Sequence, residues 1–584
     1  MGYREMTPDG LCRQRYDNQN GIGFFYPGAG ARLNGIVRVY GLAYVDEGWL
    51  ETERGVGRVE VQIGDTVMKA RTYVKDRYFV RTFDTADYPN GPLTVTARAW
   101  DKAGAPIGEA SQTVIIDNAA ADSQRRLFAA PGGTPDGDGT LERPWDAGTA
   151  LASLGSGDIL FLRGGVYEQE LTIGAIGSPG RPTVVINYRG ERVEVKGHQV
   201  EIADGASHLI VSGIDQYGTR WEKMGMRIGA DIERVSIWDC SVRDNTHPYA
   251  DLPHQPMTEW GTGFYAGVIR DWGDQSRIRR YFEVSHCHAE GNDVDGFHLA
   301  STAHGRFQFL ESCWTPDTRG PKYKQDIYQW KHANGFAADN SEYRWSGYES
   351  QECTYLFCLS HHNGQDGWDI RPPHTRLFGC VSHDESFVGV PFGGSGIKFW
   401  EHDYHVVNST SFRNNIVDGT GDAFAILLDD KEEPGSASYH RKNSRIHNCN
   451  FYHAAEVAIC FRPGTTEVRI ENCVVEKALQ AITFDAANVK GGAVRRCIFW
   501  DIEEGAVAAK GRPLSPETVE SHIAEPGFTD PERGNFFPKE GSLLLRAGNT
   551  HGLVFDVDGV DYSRLDGLGR PRASETEAGA YTRY

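Results

Sequence analysis

The residues with the most chemistry in this sequence are Asp366 and Asp369, within Asn363-Gly-Gln-Asp-Gly-Trp-Asp369, and Lys398, which ends Gly394-Ser-Gly-Ile-Lys398. Carboxylate and amide oxygens gathered at one place suit Ca²⁺, whose ligands need not all be charged. A lysine removes a proton only when neutral, a state that needs burial or neighbouring positive charge. Two carboxyl groups at a suitable separation can instead hydrolyse a glycosidic bond. Lys398 lies 29 residues beyond Asp369, so any such site depends on the element that brings them together.

That element is written in the cysteines. Cys449, Cys473 and Cys497 are each 24 residues apart, Cys358 and Cys380 are 22 apart, and Cys287 and Cys313 are 26 apart. The gaps Cys240–Cys287 (47) and Cys313–Cys358 (45) read as two periods each, and Ser409 fills the place between Cys380 and Cys449. The context repeats too, as SIWDCSV, EVSHCHA, LFGCVS, HVVNSTSF, RIHNCNFY and VRIENCVV. A period of this length marks a solenoid, and the leucine-rich signature is missing. A parallel β-helix is predicted, with the cysteines as a reduced internal column rather than a disulfide framework. Asn408, Asn448 and Asn472 precede the column and are expected to form a ladder at a turn.

A second strand recurs as Asp295-Gly-Phe-His-Leu, Asn334-Gly-Phe-Ala-Ala, Asp366-Gly-Trp-Asp-Ile, Ser395-Gly-Ile-Lys-Phe and Asp422-Ala-Phe-Ala-Ile. Alternation turns Phe336, Trp368, Ile397 and Phe424 inward, and leaves Asn334, Asp366, Asp369, Ser395 and Lys398 outward, with Asp295 and His298 a few coils above. Asp369 and Lys398 then share a column on neighbouring coils, about 4.8 Å apart. A plain surface ion pair is the alternative reading of that pairing.

Residues 31–118 alternate as in IVRVYGLAYV, VEVQIG and LTVTARAW, predicting an immunoglobulin-like β-sandwich of accessory type after a 1–30 extension. The β-helix is assigned to 126–584, with a short helix capping its open end. A formal net charge of −20 argues against a nucleic-acid partner, while a polyanionic sugar stays open because local basic clusters can dominate a cleft. No apolar run is long enough to span a bilayer. Met1–Gly10 is polar and shows no signal peptide. A trimmed mature chain in a secreted or periplasmic location is expected, with a cytoplasmic protein as the alternative, and the chain is expected to be monomeric.

The stretch from Asn334 to His405 resembles the active-site coils of polysaccharide lyase family 9, the β-helix pectate lyases. The likeness is carried by Asn334-Gly-Phe-Ala, Asn363-Gly-Gln-Asp-Gly-Trp-Asp369, Gly394-Ser-Gly-Ile-Lys398 and Tyr404-His-Val-Val-Asn408. It implies an all-β, right-handed parallel β-helix and β-elimination on a uronic-acid polymer, with Lys398 as base. It also implies Ca²⁺ at Asn334, Gln365, Asp366 and Asp369, two of which lack the charge the family has there. Arg371, two residues past Asp369 on the same face, is read as partly replacing that charge, or as an ordinary surface arginine. Lys331, Arg344 and Trp400 are candidate substrate contacts. Tyr249, Trp260, Tyr265, Tyr323 and Trp330, in the insertions Asn245–Arg270 and Trp314–Trp330, either wall the groove or pack on the helix. A hydrolase using a pair among Asp295, Asp366, Asp369 and Asp422, and a non-catalytic tailspike-like binder, are the rival functions.

Overall fold

In the computed structural model the described residues are 20–50, 54–118, 124–219, 223–246, 261–267, 278–300, 302–314, 333–338, 352–386, 394–400, 403–414, 425–428, 443–461, 467–484, 493–505, 507–509, 512–513, 520–551, 553–557 and 560–583. Apolar alternation near the N-terminus folds into two sheets. One orders Asn20–Tyr26, Ile36–Val45, Tyr78–Asp84 and Arg71–Tyr73; the other orders Arg32–Leu33, Pro106–Ile116, Gly91–Asp101, Val56–Ile63 and Thr66–Lys69. Val39 and Ala43 of the first meet Val59, Val61, Val95 and Ala97 of the second in one buried cluster. The strand Asn20–Tyr26 falls in the segment assigned above to an extension, yet it pairs antiparallel with Ile36–Val45. Gly21 and Gly23 interrupt its apolar pattern, which hid it.

From Arg126–Ala129 to His522–Ile523 the strands form one continuous sheet wound into coils, parallel except where Val507–Ala509 meets Arg512–Pro513, and the strands that follow make two small antiparallel pairs. A coil contributes three short strands, and each pairs with its counterpart one coil later. Thus Leu359–His361 pairs with Val381–His383, Arg376–Phe378 with His405–Val407, and Trp368–Ile370 with Ile397–Phe399. This is a parallel β-helix of three faces. The helix Ala147–Ala152 covers its first coil: Asp146 accepts from the Thr149 N–H at its start, and Ala147 and Ala150 join Leu127 and Leu160 in the core.

The face that carries Asp369 and Lys398 is held from inside by stacked aromatic rings. Phe264, Phe297, Phe336 and Trp368 succeed one another at centroid distances of 4.8, 5.1 and 4.8 Å, with planes within 9°. Ile397 continues the column, fully buried. A glycine precedes the strands at Phe264, Phe297, Phe336, Trp368 and Ile397 and allows close approach, and the following coil carries Ala425 there. A Cβ on Gly335 would stand 1.9 Å from Ser360 Oγ, and one on Gly396 2.1 Å from Ser411 Oγ.

The predicted cysteine column exists, with Cys358, Cys380, Ser409, Cys449, Cys473 and Cys497 on successive coils, linked through the backbone bonds that follow each. All ten described cysteines are free thiols. Two details differ from the sequence reading. Cys240 pairs directly with Cys287, so that gap is one long coil, lengthened by an insertion, rather than two. Cys313 stands outside the column, beside Glu290 and His361, and Leu310 takes the place beside Cys287. Nor do Asn408, Asn448 and Asn472 bond to one another. They share a left-handed turn, with φ of 53°, 53° and 56°, a conformation asparagine tolerates. Two of them tie down the C-terminal segment, Asn408 Nδ2 donating to Leu565 O (2.6 Å) and Asn472 Nδ2 to Asn549 O (2.8 Å).

The N-terminal sheets dock on that same corner of the helix. Arg38 pairs with buried Glu283 (2.6 Å), Tyr73 donates to Asp239 (2.6 Å), and the Phe25 ring stacks on Phe309 and Phe357. Among the described residues no helix is long and apolar enough to cross a membrane.

Candidate active site

On the outward side of the third face the strand register runs Tyr265, His298, Ala337, Asp369 and Lys398, of which His298, Ala337 and Asp369 are buried, and the backbone pairing continues to Leu427. Asp369 and Lys398 are therefore immediate neighbours, as the alternation requires. The last member corrects the sequence alignment: Ile426, not Phe424, stands beside Ile397, a two-residue displacement. Asp422 and Phe424 themselves lie outside the described residues.

The residues that open these strands are buried rather than outward. Asp295 Oδ1 accepts from Asn334 N (3.1 Å) and Nδ2 (3.2 Å), and Asn334 Oδ1 accepts from Asp366 N (3.1 Å). Asp366 Oδ1 in turn accepts from the N–H groups of Gly394 and Ser395, both at 2.8 Å. Each side chain thus fixes the start of the next coil's strand, which explains why an Asp or Asn recurs there. Asp366 Oδ2 has no hydrogen-bond partner and lies 3.7 Å from Lys398 Nζ. Burial pushes the Asp366 carboxyl up to about 6; Asp369 adds to the rise, while Lys398 and the two backbone N–H groups oppose it.

Trp400 organises the rest. Its Nε1–H donates to Asp369 Oδ1, Lys398 Nζ sits 4.6 Å from its ring centroid, and the Arg371 guanidinium carbon sits 5.0 Å from it. The ring is only 4% exposed, so it serves as a buttress between two cations rather than as an open stacking platform. The sequence alone marks Trp400 only as a substrate contact. The signal for more was its position two residues past Lys398, hence on the same face. Two coils above Asp369, His298 Nδ1 lies 2.9 Å from Asp295 Oδ2, and the Tyr265 ring is 5.3 Å from the His298 ring. Lys331 and Arg344 lie outside the described residues, as do Tyr249, Trp260, Tyr323 and Trp330.

Among the described residues the donor set does not make up a calcium cage, which takes six to eight oxygens. Asn334 Oδ1 and Asp366 Oδ1 are engaged with backbone N–H groups, Asp369 Oδ1 is engaged with Trp400, and Lys398 Nζ faces the remaining oxygen of Asp366. Gln365 is half-buried, its backbone N–H donating to Ala333 O (3.1 Å). Among the described residues the arrangement offers instead an amine next to a carboxyl group of raised pKa, with a fixed guanidinium at the same tryptophan.

The chain is similar to pectate lyase L of Thermoclostridium stercorarium. The two are 22% identical over 331 residues, which is 51% of this chain and 21% of that protein. The matched part thus spans about a fifth of that relative's length. No family model matches. Among solved structures, pectate lyase Pel9A aligns with 79% of this chain and 97% of its own (TM-score 0.40, 14% identity). A rhamnogalacturonan lyase aligns with 69% of this chain and 90% of its own (TM-score 0.38, 12% identity).

Proposed function

We propose that this protein is a polysaccharide lyase that cleaves a uronic-acid-containing polymer by β-elimination, with Lys398 as general base. The observation that carries the reading is the register of Lys398 beside Asp369, with Nζ held between the Trp400 ring and Asp366 Oδ2. Similarity to a pectate lyase and the motif resemblance support the same chemistry.

In this reading Arg371 engages the uronate carboxylate, a pairing to which a planar guanidinium is suited. That draws charge from the adjacent carbon and acidifies its proton. Neutral Lys398 takes the proton, the electron pair forms the carbon–carbon double bond, and the bond to the departing glycosidic oxygen breaks. The ammonium or water then returns a proton to that oxygen. Asp366 Oδ2, 3.7 Å away, can accept the proton that Lys398 must shed beforehand, and its raised pKa suits it to hold one. No step passes through calcium. The proposal extends to a secreted or periplasmic monomer that meets its acidic polysaccharide in solution, without nucleic acid or membrane insertion.

One observation favours a second reading. A carboxyl raised to about 6 near Asp369 is the pattern of a hydrolytic acid with its ionised partner. Product chemistry separates the two: a lyase leaves an unsaturated, ultraviolet-absorbing end on each new fragment, and a hydrolase leaves none. A panel of uronate polymers assayed for that absorbance tests the proposal, and cleavage without absorbance would replace it by the hydrolytic reading.

A further inference from the structure

The face built by Arg376–Phe378, His405–Val407, Arg445–His447 and Arg469–Glu471 carries a row of basic side chains. Arg376, His405, Arg445 and Arg469 open these strands and stand in direct register on four successive coils, so neighbours are about 4.8 Å apart. Arg445 and Arg469 are exposed. Arg376 is half-buried at the edge of the C-terminal segment, where its Nη1 donates to Asp556 O (2.7 Å). His405 and His447 add no charge: burial first, and then their basic neighbours, push them down to about 3 and about 4. One coil beyond the row, Arg495 is exposed in the adjoining column, beside Glu471.

Among the described residues Arg376, Arg445 and Arg469 pair with no carboxylate. Acids near them in sequence are engaged elsewhere or stand apart. Glu471 lies 3.4 Å from Arg496 and 4.0 Å from His447, and Asp403 lies 3.5 Å from His374. Glu467 is exposed and makes no ion pair with Arg469. Like charges directly opposite on neighbouring strands are destabilising, and no acid stands between Arg445 and Arg469 to offset them. In a chain of net charge −20, the row is a local field of opposite sign to the molecule, and such a field draws in anions.

We propose that this row binds an acidic polysaccharide laid along the helix axis, as a second contact with polymer apart from the site at Lys398. The choice of a uronate polymer rests on the lyase reading; the need for a polyanion rests on the row itself. An extended uronate chain carries one carboxylate per pyranose ring, so its charge repeats at a spacing comparable with the coil rise. Each exposed guanidinium can take a carboxylate in a forked pair. Nucleic acid fits less well. Among the described residues the row holds no exposed aromatic ring on which bases could stack, and the charge of the whole chain repels a polyphosphate. Lys398 and His405 belong to one coil, on adjoining faces. A polymer held on the row therefore stays close to the reaction face, which raises its effective concentration there.

The test is calorimetric titration of the full chain with polygalacturonate, alginate, neutral dextran and a single-stranded oligonucleotide, on a Lys398→Ala background so that the polymers stay whole. At least one uronate polymer should bind and dextran should not. Arg445→Gln/Arg469→Gln should weaken that binding at least about fivefold and make it less sensitive to salt. The same double variant should keep or raise the melting temperature without polymer, because it removes a repulsion, and this separates lost binding from misfolding. Arg143→Gln/Arg533→Gln, which removes as much charge from exposed positions elsewhere, should bind polymer as the parent does. Equal losses in the two double variants overturn the proposal, as does unchanged binding in Arg445→Gln/Arg469→Gln. So does binding to neither uronate polymer, or to the oligonucleotide alone. Failure of the lyase reading shows separately, as polymer binding by the parent protein without ultraviolet-absorbing product.

Discussion

At the scale of single residues, the site separates groups that hold the chain from groups that can react. Asp366 does both, one oxygen capping a strand and the other facing Lys398. Its folded pKa is raised from 3.8 to about 6. The stability it contributes is therefore fully present below the unfolded value and is lost as pH rises through about 6. Asp366→Asn keeps the cap and removes the titration. Its stability relative to the parent should rise between about pH 4 and pH 6, by on the order of 2–4 kcal/mol; parallel midpoint-against-pH curves for the two proteins would contradict the assignment. Trp400→Phe keeps an aromatic ring, though a smaller one, and loses the N–H that orients Asp369. On the lyase reading kcat should fall about tenfold to a hundredfold with little change in KM, and an unchanged kcat would show that the hydrogen bond positions nothing.

At the scale of elements, the column logic was legible because strand side chains alternate and the coil length is nearly constant where no insertion intervenes. The neighbouring placement of Asp369 and Lys398 follows from four aligned residues. The slip at Asp422 and the misplaced Cys313 both adjoin insertions, where spacing no longer reports register. The buried state of Asn334 and Asp366 was equally hidden, because it comes from backbone bonds to the next coil. The aromatic stack makes an element-scale prediction. Trp368 is fully buried against Phe336, so Trp368→Ala should cost about 3–5 kcal/mol, read as a fall in the denaturation midpoint. A loss below about 1 kcal/mol would mean that the stack does not hold the face.

At the scale of the whole molecule, a reduced core column predicts that thiol titration of the denatured protein, without reductant, counts nearly all of the eleven cysteines. Four or more disulfides would be incompatible with stacked identical coils. The N-terminal sheets and the C-terminal segment both grip one corner of the solenoid, while Lys398 stands on another face. Among the described residues the candidate reaction site is thus built by the helix, and its central claim is chemical. The most direct measurement is release of unsaturated product from a uronate polymer by the parent protein, Lys398→Ala and Lys398→Arg. The account predicts ultraviolet-absorbing ends from the parent and a loss of about 10²–10⁴ in rate for both variants, since guanidinium stays protonated and cannot take the proton. Near-parental turnover by both variants, with their folds intact, would contradict it.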